Sequence, residues 1–155
     1  MEITPALFSD LPEILALQKA AFYKVAVAQK SFMIRPLHTT LAEIEENYPK
    51  YLYLKLTENS RILAAGRARM DGTVCKLENI IVCPEHHRKG LGRKIVSSLE
   101  ERFSECSCYE LFTGKETPGN RQFYESLGYR VSGEIPATAS EPVLITMRKP
   151  GPAPV

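Results

Sequence analysis

The apolar residues of this chain change their spacing along one central stretch. Residues 77–83 form an apolar run interrupted only by Glu78 and Asn79, which predicts a buried strand. Pro84 ends that strand, because proline cannot donate the next hydrogen bond of a sheet. A polar turn with two glycines follows, and apolar residues then recur at four-residue steps, which is the spacing of one helix face. These helix positions are Leu91, Ile95, Leu99 and Phe103.

Two helices are predicted in the first third of the chain. Asp10 can cap the first one, and Glu13 lies three residues later, where it can reciprocate. Gln18 interrupts the apolar face of this helix. A second, short helix is predicted to begin after Thr40, which repeats the capping signal. The segment between the two helices contains Pro36 and is predicted not to be helical.

Further strands are predicted where aromatic and apolar runs are separated by turn residues. Asp71-Gly72 is the strongest hairpin signal and leads into the central strand. Strands are predicted near Ile3 and over 51–57, 61–70, 109–113, 129–133 and 142–148, with a helix over 120–127. The sum is an α/β (α+β) domain with a mixed, mostly antiparallel sheet of six to seven strands and helices on both faces. We expect the domain to cover residues 1–149 and a loose proline-rich tail to cover 150–155.

Composition excludes several classes of protein. Hydrophobic residues at 44% and charged residues at 25% of 155 residues are ordinary for one globular domain, and they argue against a disordered chain or a membrane protein. The net charge of +2 gives little reason to expect nucleic acid as a partner. The start of the chain has no cationic and apolar leader, and no apolar segment approaches the length of a membrane span. We therefore expect a cytoplasmic protein with no membrane partner.

The cysteines are expected to be reduced thiols, because the chain has no secretion signal. Cys106 and Cys108, taken with His86 and His87, match no zinc spacing, so no metal is predicted. Cys83 lies beside the glycine turn and is a nucleophile in principle, but no base is identifiable for it.

The turn between the central strand and its helix can bind an anion. Gly90 and Gly92 remove side chains where the chain enters the helix, so backbone N–H groups can approach a ligand closely. The first turn of a helix has unpaired N–H groups and partial positive charge, which suits a phosphate. An ordinary solvated turn is the alternative. The spacing matches neither G-x-x-x-x-G-K-[ST] nor G-x-G-x-x-G, which argues against a P-loop nucleotidase and a dinucleotide-binding fold.

The same turn resembles motif A of the GNAT superfamily of N-acetyltransferases, whose pattern is [Q/R]-x-x-G-x-[G/A] after a strand that ends in Val-x-Pro. Here the motif is His87-Arg88-Lys89-Gly90-Leu91-Gly92 after Val82-Cys83-Pro84, and His87 departs from the usual Gln or Arg. Residues 120–129 are similar to the family's later N-x-x-x-Y-x-x-x-G-[F/Y] ending. The resemblance is close over residues 77–129, and it implies the family's fold and an acetyl-CoA-dependent N-acetyltransferase that acts on a small-molecule or peptide amine.

The resemblance also implies a site. Acetyl-CoA would lie on the glycine turn, with its pantetheine arm beside the central strand. Tyr124 would protonate the leaving thiolate, and Asn120 would hold the pantetheine or the loop. A backbone N–H near Ile81 or Val82 would stabilise the developing oxyanion. The expected cofactor-binding residues are Ile80, Ile81, Val82, His87, Arg88, Lys89, Gly90, Leu91, Gly92, Arg93, Asn120 and Tyr124.

The acceptor amine needs a base, because an alkyl amine with a pKa near ~10.4 is mostly protonated at neutral pH. Glu78 is the candidate, directly or through water. The two-residue alternation of a strand places it on the face shared by Ile80 and Val82. A surface or ion-paired glutamate is the alternative. The expected catalytic residues are therefore Tyr124 and Glu78.

Several alternatives stay open on the sequence. A longer acyl group would need a roomier cleft near Phe112 and Tyr124, whereas a non-catalytic acyl-CoA-binding module or regulator would bind CoA without turnover. Exposed aromatic residues in the strand that begins at Tyr51, or in the last strand, leave a homodimer open. No motif identifies the acceptor. The candidates for acceptor contacts are Phe32, Met33, Arg35, His38 and Tyr48.

Overall fold

A mixed, mostly antiparallel sheet forms the centre of the protein, as predicted. The computed structural model describes residues 1–30, 32–139 and 141–153. The strands are β1 (Glu2–Pro5), β2 (Leu52–Glu58), β3 (Arg61–Asp71), β4 (Val74–Val82), β5 (Cys108–Gly114), β6 (Arg130–Ile135) and β7 (Leu144–Pro150). The helices are α1 (Leu11–Gln29), α2 (Arg35–His38), α3 (Leu41–Asn47), α4 (Leu91–Arg102) and α5 (Asn120–Ser126). Within the described ranges the seven strands pair in the order β1-β2-β3-β4-β5-β7-β6, and only the β4–β5 pair is parallel.

Helices cover both faces of this sheet, which confirms the predicted fold class. On one face, Leu91, Ile95 and Leu99 of α4 are buried in a core that includes side chains of β2, β3 and β4. On the other face, α1 and α3 contribute Ile14 and Ile44 to a second core against the same strands. The sheet therefore has two apolar faces. The glycine turn joins the end of β4 to the start of α4.

The two helix starts differ in how they are capped. The Thr40 hydroxyl accepts a hydrogen bond from the Glu43 N–H at 3.2 Å, so the predicted cap of α3 is confirmed. Asp10 occupies the cap position of α1, but its carboxylate binds the Leu7 N–H and Lys55 Nζ, both at 2.7 Å, and not a helix N–H. The predicted capping box of α1 is therefore wrong, because a lysine from a distant strand competes for the carboxylate.

The expectation that the Pro36 segment is not helical is wrong. Residues Arg35–His38 form the single turn α2, with proline in its first turn. Proline is tolerated there because the N–H groups at a helix start have no intrahelical partner to lose.

A β-bulge in β4 changes which side chains share a face. Ala65 pairs with Ile81 and Arg67 pairs with Glu78, so two residues of β4 oppose Gly66 alone. Asn79 lies in this bulge with φ +51°. An extra residue reverses the alternation of a strand. Glu78 therefore lies on the face covered by α1, opposite to Ile80 and Val82, and the prediction that the three share a face is wrong.

β4 and β5 separate after a short parallel ladder. Among the described residues, their pairing runs from Val74 with Cys108 to Lys76 with Glu110 and then stops. Beyond that point, within the part of the chain that the structure describes, β4 pairs only with β3 and β5 pairs only with β7. We call the wedge between residues 77–82 and residues 111–114 the fork. Its closed end holds the buried carboxylate of Glu110, which binds Lys76 Nζ at 2.9 Å and Arg148 Nη2 at 2.6 Å.

Part of the tail that was expected to be loose is bound to the sheet. Pro150 belongs to β7, the Gly151 N–H donates to the Ser107 carbonyl at 2.9 Å, and the Ala153 N–H donates to the Cys106 carbonyl at 3.1 Å. A Cβ on Gly151 would overlap the Cys106 backbone, so glycine permits this close approach. Residues 154 and 155 lie outside the described residues.

Candidate functional site

The glycine turn has the backbone geometry of an anion site. Gly90 is the N-cap of α4 with φ +76°, and Arg88 also has a left-handed φ of +65°. The Lys94 N–H is the first to donate within the helix, to the Gly90 carbonyl at 3.2 Å, so the N–H groups of residues 91–93 have no acceptor inside the helix. A Cβ added at Gly90 would meet no atom within 4 Å of it among the described residues. The N-terminus of α4 therefore opens onto free space at this position.

Close packing joins the turn to the end of β4 and to α5. A Cβ on Gly92 would lie 3.2 Å from Phe123 Cζ and 3.6 Å from Val82 Cγ2, so a larger residue would separate these elements. His87 Nε2 lies 3.3 Å from the Val82 carbonyl oxygen, and Arg93 donates to the Ser126 hydroxyl at 3.3 Å. The structure therefore brings together the predicted turn residues, the end of β4 and α5. We call this meeting point the junction.

Tyr124 lies beside this junction. It is buried, and its ring makes edge contacts with Phe123 and Tyr129 at centroid distances of 4.9 and 6.0 Å. Burial raises the pKa of Tyr124 above its ordinary value of 10.0. In the described part of the chain its hydroxyl has no hydrogen-bond partner. A protonated, unengaged hydroxyl is a donor that can serve a ligand.

Asn120 connects α5 to β5. Asn120 is the first residue of α5, and Gly119 is the N-cap. Its side-chain amide donates to the Thr113 hydroxyl at 2.9 Å. Thr113 lies in the arm of the fork formed by β5. Asn120 thus fixes the start of α5 against one wall of the fork.

Glu78 is part of a charged and aromatic cluster on the α1 face of the sheet. Arg67 Nη2 donates to one carboxylate oxygen at 2.7 Å, and the Tyr51 hydroxyl lies 3.1 Å from both oxygens. Arg67 also donates to the Tyr53 hydroxyl at 2.9 Å and lies 4.1 Å from the centre of the Tyr51 ring. This is the ion-paired arrangement that was the alternative to a free base.

A cavity of about 690 Å³ opens on the same face. Of the candidates for acceptor contacts, Met33, Arg35 and His38 line this cavity. Phe32 lies outside the lining, and its ring makes a tilted contact with Tyr23 at a centroid distance of 5.8 Å. Tyr48, the remaining candidate, donates from its hydroxyl to the Ala6 carbonyl at 2.7 Å and packs between other rings. The rest of the lining comes from Gln18, Thr39, Glu43, Ile44, Glu46, Asn47, Arg67 and Asn79.

Gln18 ties the cavity wall to the bulge of β4. Its side chain is buried, donates to the Pro36 carbonyl at 3.1 Å and to the Thr39 hydroxyl at 3.2 Å, and accepts from Asn79 Nδ2 at 3.4 Å. Sequence reasoning did not assign this role, although the signal was present, because Gln18 is the polar residue that interrupts the apolar face of α1.

Two further expectations of the sequence analysis concern the cysteines and the membrane. In the described ranges the cysteines form no disulfide, and burial raises the pKa of the Cys75 thiol to about 12. None of the described helices has the length and apolar character that crossing a bilayer requires.

Comparisons with known proteins agree with this geometry. A family model described as the acetyltransferase (GNAT) family matches residues 11–129. The uncharacterized protein YyaT of Bacillus subtilis (strain 168) is 38% identical over 74 residues, which is 46% of this chain and 48% of that protein. The chain thus spans about half the length of the curated relatives it matches.

Solved structures share the fold at low sequence identity. A paiA N-acetyltransferase of Thermoplasma acidophilum in complex with coenzyme A superimposes with a TM-score of 0.81 at 13% identity, covering 96% of this chain and 98% of that chain. The ribosomal-protein-S18-alanine N-acetyltransferase of Escherichia coli superimposes with a TM-score of 0.79 at 21% identity, covering 99% and 95% of the two chains.

Proposed function

This chain belongs to the acetyltransferase (GNAT) family, and on that premise we propose that it transfers an acetyl group from acetyl-CoA to the amine of a small molecule or peptide, by direct attack in a ternary complex. The observation that carries the proposal is the meeting of the fork, the open N-terminus of α4 and Tyr124 at one junction. The acceptor would enter through the cavity on the α1 face, which is lined by Asn79 of the β4 bulge.

The residues present fit acetyl-CoA. The free space at Gly90 and the unpaired N–H groups of the first helical turn suit a pyrophosphate. His87, Arg88, Lys89 and Arg93 add positive charge or donors around it, and the pantetheine arm would follow the fork. When bound, acetyl-CoA supplies the activated thioester.

The hydrogen-bond pattern of β4 favours one backbone donor over its neighbour. The Cys83 N–H donates to the Leu63 carbonyl of β3 at 2.7 Å. Because successive residues of a strand direct their N–H groups to opposite edges, the Val82 N–H is directed toward the fork. We assign to Val82, and not to Ile81, the hydrogen bond that stabilises negative charge as it develops on the carbonyl oxygen.

Tyr124 is the proposed proton donor to the leaving sulfur. Its pKa is raised by burial, so the hydroxyl carries its proton at neutral pH, and it has no competing partner within the described residues. A buried donor with a free proton can stabilise the thiolate as the carbon–sulfur bond breaks.

Glu78 is the proposed base for the amine. The Tyr51 hydroxyl, which donates to its carboxylate, offers a route for the proton besides water. The ion pair with Arg67, at 2.7 Å, holds the carboxylate in place on the α1 face of the sheet. The pH–rate profile of Glu78→Gln tests this role.

The test is CoA thiol release from acetyl-CoA with a panel of amines and short peptides. We expect turnover with at least one amine and a loss of turnover in Tyr124→Phe that is larger than its loss of acetyl-CoA affinity. Tyr109→Phe is the matched control, because Tyr109 is also buried but its hydroxyl donates to the Glu100 and Phe103 carbonyls, within the core. Its turnover per folded molecule should be unchanged.

Two outcomes would contradict this proposal in different ways. Binding of acetyl-CoA without turnover on any amine, and without an effect of Tyr124→Phe, would indicate a non-catalytic acyl-CoA-binding module. Faster turnover with longer acyl thioesters would indicate a different acyl donor.

A further inference from the structure

Three side chains with metal-binding atoms converge just after β4. Cys83, Glu85 and His86 each offer one ligand atom, and these atoms lie within 4.8 Å of one another. Cys83 Sγ and Glu85 Oε2 are 3.9 Å apart. Glu85 and His86 belong to a single 3₁₀ turn, Pro84–His86, whose His86 N–H donates to the Cys83 carbonyl at 2.8 Å. The backbone thus holds the three side chains on one side of the turn.

A cationic side chain already bridges two of these groups. Arg61 Nη2 lies 3.4 Å from Cys83 Sγ and 3.4 Å from Glu85 Oε2. The Arg61 side chain is 56% exposed and the Glu85 side chain is 72% exposed, so this contact can open at little cost. Cys83 itself is buried, and displacement of the exposed Arg61 side chain, which contacts its sulfur, would let a cation approach that sulfur. The sulfur and the carboxylate therefore share a position that a cationic group already occupies.

The histidine has a free ligand atom. His86 Nδ1 is buried and, among the described residues, makes no hydrogen bond. A buried polar atom without a partner is rare and costs free energy, which a bound cation would recover. This observation is independent of the distances within the cluster.

We propose that Cys83, Glu85 and His86 bind a divalent zinc ion at the end of β4. Thiolate, imidazole and carboxylate together suit zinc, whereas magnesium and calcium prefer oxygen ligands alone. Zinc bond lengths place tetrahedral ligand atoms about 3.3–3.6 Å apart. The exposed Glu85 and the half-buried His86 therefore need to close by at most about 1.5 Å from the separation of up to 4.8 Å. Water would occupy the fourth position. This proposal differs from the expectation of no metal. That expectation considered Cys106 and Cys108 with His86 and His87, whose spacing matches no zinc pattern.

The test is titration of the full chain with Co²⁺ alone, followed by absorbance. A thiolate–cobalt bond gives a charge-transfer band in the near ultraviolet, and Zn²⁺ should abolish this band because it binds such sites more tightly. We expect a saturable band in the wild type that is lost in Cys83→Ser. In His86→Ala the dissociation constant should rise by about tenfold or more.

Two controls separate this site from adventitious binding. Cys108→Ser removes a partly exposed thiol elsewhere in the sheet and should leave the band unchanged. Arg61→Ala should lower the dissociation constant, because it removes the competing cation. The absence of a band in the wild type at millimolar Co²⁺ overturns the proposal, and so does a band that persists in Cys83→Ser. If Cys83→Ser does not fold, an unchanged dissociation constant in the surface variant His86→Ala overturns it equally.

Discussion

The closed end of the fork depends on the buried carboxylate of Glu110. Its side chain is 4% exposed and accepts hydrogen bonds from Lys76 Nζ at 2.9 Å and from Arg148 Nε at 2.7 Å. Removing one partner of a buried ion pair costs about 3–5 kcal/mol, and we expect the lower end here, because the Arg148 side chain can turn to water. Glu110→Gln should therefore lower the free energy of unfolding by about 3 kcal/mol and Tm by about 6–12 °C.

Glu134→Gln is the matched control. Lys115 Nζ lies 2.7 Å from Glu134 Oε1, a distance like those at Glu110, but both side chains are about half exposed. Exposed ion pairs contribute little to stability, so this variant should unfold like the wild type. Urea unfolding of the three proteins at pH 7 measures the difference. Equal losses in the two variants would refute the argument that burial sets the cost.

The same pair predicts a pH dependence. Burial acts to raise the pKa of Glu110, but the hydrogen bonds and charges of Lys76 and Arg148 outweigh it and hold the pKa below 4.5. A lowered folded-state pKa contributes stability above the unfolded value and loses it as the pH falls. The stability gap between wild type and Glu110→Gln should therefore be full at pH 7 and shrink as the pH falls below 4.5. A gap independent of pH would contradict this assignment.

The other predictions concern the site. Glu78→Gln should lower the rate at neutral pH by about 10²–10⁴ if Glu78 is the base, and an unchanged pH–rate profile would assign the proton to solvent. Gln18→Leu should raise the acceptor KM and leave acetyl-CoA affinity unchanged, because Gln18 contacts the cavity wall; equal effects on both would point to general destabilisation. Asn120→Ala should weaken acetyl-CoA binding by about fivefold, the value of one hydrogen bond, and Thr113→Val should match it if the link to β5 is the cause.

Local spacing was enough to predict much of the fold. The four-residue steps from Leu91 predicted α4, and Thr40 predicted the start of α3, because both signals act within one helical turn. Asp71-Gly72 predicted the hairpin into β4, since few residues other than glycine adopt its left-handed φ without strain. In each case the residues that decide the structure are neighbours in sequence.

Features set by distant contacts were not predictable. The bulge at Asn79 reverses the face of Glu78. Asparagine tolerates the left-handed φ found there, but the sequence does not show that β4 has an extra residue, because the misfit arises against β3. Asp10 bonds Lys55 from β2 and so leaves the helix it was expected to cap. The two motifs predicted the glycine turn and Tyr124 as parts of a site. The packing of Gly92 on Phe123, which brings them together, is visible only in the structure.

The measurement that tests the central claim most directly is calorimetric titration with acetyl-CoA of the wild type, Gly90→Val and Gly72→Val. Gly90 and Gly72 both have a left-handed φ, at +76° and +61°, and open space at the Cβ position, so both variants carry a similar backbone strain of about 1–2 kcal/mol. Only Gly90 lies in the proposed phosphate site. We predict saturable, near-stoichiometric binding to the wild type and to Gly72→Val, and none to Gly90→Val. No binding to the wild type at millimolar acetyl-CoA, or equal binding to all three, would contradict the account.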